Sequence, residues 1–129
     1  MDKKIIKVAA FMGAVAIILG AFGAHSLKSV LDETQLATFE TGVRYQMYHA
    51  LFLLFVGTTS YISVKTKQII FWLIVIGVIL FSGSIYLLST ASLSMINAKI
   101  IGPVTPLGGL LMISGWIVLF SKIWSEKAE

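Results

Sequence analysis

Glu40, Arg44, Tyr45 and His49 carry most of the chemical potential of this 129-residue chain. Glu40 and Arg44 stand four apart, acid before base, the spacing that places a carboxylate beside a guanidinium on one helix face. Such a pair is either a strut, in which each charge neutralises the other, or a site in which Arg44 grips a phosphate or carboxylate while Glu40 orients it. His49 lies five residues past Arg44, about 140° around a helix from it, beside Tyr45 and Gln46. His25 precedes the same connection, and Thr105 and Leu107 open the last apolar run, where the free amides of a helix N-terminus could complete an anion site. His25, Glu40, Arg44, Tyr45, His49, Thr105 and Leu107 are therefore the candidate binding residues.

Other chemistries fit the sequence less well. Two histidines fall short of the three or four ligands that zinc normally takes, and no spacing demands a haem held by both, so neither metal nor cofactor is expected. Glu40 and His49 are nine apart, about half a turn out of register, and would face opposite ways as a proton-carrying pair unless the helix breaks at Gly42. Ser82 and Ser84 have no base within local reach, and serines in such segments usually hydrogen-bond across helices. With no cysteine in the chain, thiolate chemistry is absent, and no catalytic residue is assigned.

The elements that must position these residues follow from composition. The chain is 57% hydrophobic before its 11 glycines are counted and 12% charged, half the charge of a typical soluble domain. Sixteen acidic and basic residues cannot wet a globular surface, which excludes a monomeric soluble enzyme and also disorder. The basic residues sit at the ends of apolar runs rather than in a stripe, so nucleic acid is not the partner.

Charges divide the chain into four windows long enough to cross about 30 Å of hydrocarbon as helices. The sequence predicts an all-α polytopic membrane protein, a single domain over 1–129 with spans near 6–25, 45–64, 69–88 and 105–122. The first window also resembles a signal peptide, with Lys3, Lys4 and Lys7 before an apolar run, but that run exceeds the usual signal core and its small residues are spread through it. Seven Lys on the side of the termini and the 65–67 loop, against Lys28, Arg44 and Lys99 on the other, put both termini in the cytoplasm.

Asp32 with Gln35 three residues later reads as a capping box. A straight helix from Glu33 to Val64 would run 32 residues, or about 48 Å, so a bend near Gly42 and a short interfacial helix over 33–41 are expected. Thr105 as N-cap with Pro106 at the first helical position would start the last span. Ala16, Gly20 and Ala24, with Ala9, Gly13 and Gly23 near the same face, form a small-residue surface for close packing against a helix of the same chain; Gly77, Gly83, Gly108 and Gly115 are read the same way.

Four stretches carry a resemblance: Gly20-Ala21-Phe22-Gly23-Ala24-His25, the run from Thr38 to Ala50, Ser82-Gly83-Ser84-Ile85-Tyr86, and Gly102 to Gly109. Taken in order, they resemble the small bacterial membrane-protein family called domain of unknown function 423, related to eukaryotic transmembrane protein 256. Ser26 stands where a glycine commonly follows the histidine. The resemblance implies a multi-pass protein of the bacterial cytoplasmic membrane and implies no activity and no site residues. Two expectations stand beside it. One is a non-enzymatic protein that binds membrane lipids or a partner, as a homo-oligomer or with another membrane protein, through an outer-leaflet anion site. The other is a small transporter or channel using Glu40, Arg44 and His49.

Overall fold

The computed structural model describes residues 2–93 and 97–125. They form an all-helical bundle: α1 (Lys3–His25), α2 (Glu33–Thr58), α3 (Val64–Ser89), a single-turn α4 (Ala98–Ile101) and α5 (Val104–Ser125), with short 3₁₀ turns at Leu27–Ser29 and Ala91–Leu93. Three segments, Lys3–Ser29, Val64–Ser89 and Ala98–Ser125, are long and apolar enough to cross a membrane. The polar residues Glu33, Glu40, Arg44, Gln46 and His49 keep α2 outside that group despite its 26 residues.

The expected interfacial helix is not a separate element. Residues 33–41 are the opening turns of α2, one continuous helix through Gly42. Its other end differs too: α2 stops at Thr58, where Thr59 turns extended, so it measures about 39 Å rather than about 48 Å, and roughly half of the length that called for a separate segment is gone. Ser63 then caps α3 by accepting the Thr66 amide at 3.2 Å, which places Lys65 and Lys67 in the first turn of α3 rather than in a loop.

The capping box at Asp32 is present in full. Gln35 N–H donates to Asp32 Oδ1 at 2.7 Å and Asp32 N–H to Gln35 Oε1 at 3.0 Å, so two amides of the polar end of α2 are satisfied locally. Asp32→Ala should lower stability by about 1 kcal/mol, read as a shift in the denaturant midpoint of the detergent-solubilised protein with unchanged slope.

Helices pack in chain order: α1 on α2, α2 on α3, α3 on α5. Ala9 and Ala16 of α1 are buried, while the Gly13 and Gly20 positions face Ala50 and Val43 of α2, so the small-residue surface of α1 is spent within the chain. Ile5, Leu53, Val56, Ile62, Ile70 and Ile74 form the centre of the main core, and Leu27, Leu31 and Phe39 a second cluster under the 3₁₀ turn. Asp2 ties the lysine-rich end together. Its N–H donates to the Gly57 carbonyl at 2.8 Å, its Oδ1 accepts the Ile5 amide at 3.2 Å, and its Oδ2 accepts from Gln68 Nε2 at 2.7 Å.

Candidate functional site

Two polar side chains of α2, Gln46 and His49, are buried and between them connect all four long helices. Gln46, buried, donates from Nε2 to the Met12 carbonyl of α1 at 2.9 Å and accepts the Tyr86 hydroxyl proton of α3 at 2.6 Å. Ser82 of α3 donates to the Gly42 carbonyl at 2.8 Å, a bond that commits its proton to the main chain of α2 and not to a base. A polar group in an apolar interior is tolerated when its bonds are made, and these bonds cross between helices.

His49 is the second hub. Its Nδ1–H donates to the Tyr45 carbonyl at 2.7 Å, and its Nε2 accepts the Trp116 indole N–H of α5 at 3.0 Å. Indole N–H is a donor only, so Nε2 carries no proton, and the ring is fixed as the neutral Nδ1–H tautomer. Both nitrogens are occupied. The imidazole is thereby engaged as a connector, with the Phe52 and Trp116 rings at centroid distances of 6.3 and 5.9 Å from it and 4.0 Å from each other.

Between α2, α3 and α5 these groups wall a cleft of about 250 Å³, lined by Tyr45, His49, Phe81, Gly109, Met112, Ile113 and Trp116. Tyr45 packs on Phe81 at 5.1 Å and edge-on to Tyr48 at 5.5 Å, so an aromatic wall leads from the cleft toward the exposed face that carries Arg44. The Gly109 position faces the Phe81 ring, with the nearest carbon 3.6 Å from where a Cβ would stand, and the missing side chain leaves the cleft its depth.

Of the seven residues singled out in sequence, Tyr45 and His49 share this cleft. Arg44 is exposed and donates from Nη2 to Thr41 Oγ1 at 3.1 Å. Among the described residues no ion pair joins it to Glu40, which is also exposed. The reason is local: Thr41 lies one turn from Arg44 on the same face and offers a hydroxyl, so the guanidinium lies along the helix. Thr105 is not the N-cap of α5, because the helix already begins at Val104. Its hydroxyl instead bonds Ser84 Oγ, whose own proton goes to the Phe81 carbonyl at 2.9 Å. His25 and Leu107 are exposed and line no part of the cleft. Among the described residues no three His, Asp or Glu side chains gather as a metal site requires.

Trp116 escaped the sequence reading. A signal was present: it falls mid-way along a 22-residue helix rather than at either end, where membrane tryptophans usually lie, and an indole N–H placed there needs an acceptor.

Comparison with known proteins now adds the family. Residues 19–109 match the family model described as protein of unknown function (DUF423). The UPF0382 membrane protein YwdK of Bacillus subtilis is 41% identical over 123 residues, covering 88% of this chain and 94% of its own. A UPF0382 membrane protein of Staphylococcus haemolyticus is 38% identical over 118 residues, 88% of this chain and 93% of its own, and one of Haemophilus influenzae is 34% identical over 128 residues, 99% of each. No solved structure matches the chain. The matched stretch takes in the end of α1, all of α2 and α3 and the start of α5, including both hubs on α2, and the chain belongs to the DUF423 family of membrane proteins of unknown function.

Proposed function

We propose that this protein is a non-enzymatic membrane component that binds an anionic amphiphile, taking its charged group at Arg44 and the end of its apolar body in the aromatic cleft beside Tyr45, His49 and Trp116. The observation that carries this reading is the cleft itself: an apolar space whose one imidazole has both nitrogens occupied, so it offers shape and aromatic contact rather than acid–base chemistry. Arg44 supports the charged half. Only Thr41 engages its guanidinium among the described residues, leaving further N–H donors for a phosphate or carboxylate. The volume, about 250 Å³, suits a chain end rather than a whole drug-sized molecule. A transport reading through Glu40 and His49 lacks such support, because Glu40 faces outward and His49 has no nitrogen to spare.

Native mass spectrometry of the gently extracted protein tests this. Wild type is expected to carry a stoichiometric anionic adduct that is lost from Arg44→Ala and, independently, from Gly109→Leu, which fills the cleft. Retention of the same adduct in both variants would remove Arg44 and the cleft as its site.

A further inference from the structure

We infer a second lipid site, for an anionic glycerophospholipid, on the groove between α3 and α5 at the lysine-rich end of the bundle. The groove holds about 410 Å³ and is lined by Gln68, Ile69, Trp72, Leu73 and Ile76 of α3 and Leu111 of α5. On α3 the positions 65, 69, 73 and 76 follow helical spacing, so Lys65, exposed one turn beyond Ile69, stands where the groove's apolar floor ends. Lys4 of α1 supplies a second cation there, with its Nζ 4.8 Å from the centroid of the Trp72 ring and 5.1 Å from that of Phe71.

Charge selects the occupant. Among the described residues Asp2 is the only carboxylate at this end, and its oxygens are already bonded to the Ile5 amide and Gln68 Nε2, so the lysines are left for an outside anion. Trp72 is half exposed, and nothing among the described residues accepts its indole N–H, which leaves a donor at the groove for a phosphate or ester oxygen. An apolar groove ending in two ammonium groups and a free indole N–H matches the chain and headgroup of an anionic phospholipid, whereas a zwitterionic one brings its own cation to the lysines. This site shares no residue with the cleft at Arg44.

Titrating delipidated protein with phosphatidylglycerol or phosphatidylcholine of identical chains, read by native mass spectrometry, decides the matter. The first phosphatidylglycerol should bind roughly tenfold tighter than phosphatidylcholine, each nearby lysine contributing a several-fold share. The preference should persist in Arg44→Ala, which removes the headgroup contact of the cleft site, and in that background Lys4→Ala with Lys65→Ala should abolish it, Lys65→Glu should reduce it without touching the Lys4 contact, and Lys4→Arg with Lys65→Arg should keep it. Equal binding of the two lipids by wild type, or a preference surviving in both Lys4→Ala/Lys65→Ala and Lys65→Glu, overturns the inference. Loss of the preference in Arg44→Ala would move the bound lipid to the other end of the molecule and overturn it as well.

Discussion

Gly108→Ala should destabilise the bundle by about 3 kcal/mol or more, the upper end of what added core volume costs, while Gly83→Ala, six residues past Gly77 on α3, should be neutral or stabilising by up to about 1 kcal/mol. The two glycines are chemically identical and differ only in what faces them. A Cβ at Gly108 would stand 2.7 Å from the Gly77 carbonyl oxygen and 2.9 Å from the Leu80 carbonyl carbon, both main-chain atoms of α3 that no rotamer change can move aside. The pair is reciprocal, since a Cβ at Gly77 would meet the Gly108 carbonyl oxygen at 3.0 Å. α3 and α5 therefore touch backbone to backbone at this crossing, and one methyl group forces them apart along a contact that dispersion and close approach hold together. At Gly83 nothing lies within 4 Å of the added carbon, so alanine there gains only helix propensity. Reversible unfolding in mixed micelles should show a much lower midpoint for Gly108→Ala and none of that loss for Gly83→Ala. Equal midpoints would mean that the close crossing of α3 and α5 does not form.

The same comparison marks how far the sequence reaches. Features carried by contiguous residues were legible: the Asp32 and Gln35 box, and the apolar runs of α1, α3 and α5. The boundary at Thr58 was not, because counting charges alone merges Thr59 to Ser63, a polar but uncharged connection without glycine or proline, into the preceding apolar window. Pairings across the bundle were not legible either. Trp116 reaches back 67 residues to His49, and Tyr86 reaches 40 to Gln46; such partners are set by how helices cross, which no local pattern encodes. Glu40 and Arg44 show the converse failure. Their spacing permits an ion pair, yet Thr41 at the same spacing class takes the guanidinium, and at an exposed position the two arrangements differ by only a few tenths of a kcal/mol.

Gln46→Leu should cost about 2 kcal/mol, and Tyr86→Phe distinctly less, although both break the same 2.6 Å bond. The asymmetry follows from what each change leaves behind. Leucine at 46 removes the bond to the Met12 carbonyl as well and strands the Tyr86 hydroxyl, a half-buried donor whose acceptor is gone. Phenylalanine at 86 removes a donor and leaves only the Gln46 carbonyl oxygen short of one partner, while the Gln46 to Met12 bond persists. Bonds of this kind between membrane helices average about 0.6 kcal/mol, so two lost bonds plus one orphaned hydroxyl reach the larger figure. The double variant Gln46→Leu with Tyr86→Phe removes the orphan and should be less destabilised than the sum of its parts, with a coupling of about 1 kcal/mol in a double-mutant cycle read by equilibrium unfolding in micelles. Additive losses would show that Gln46 and Tyr86 do not meet, and with them would go the view that the polar residues of α2 are there to join α1 and α3 across it.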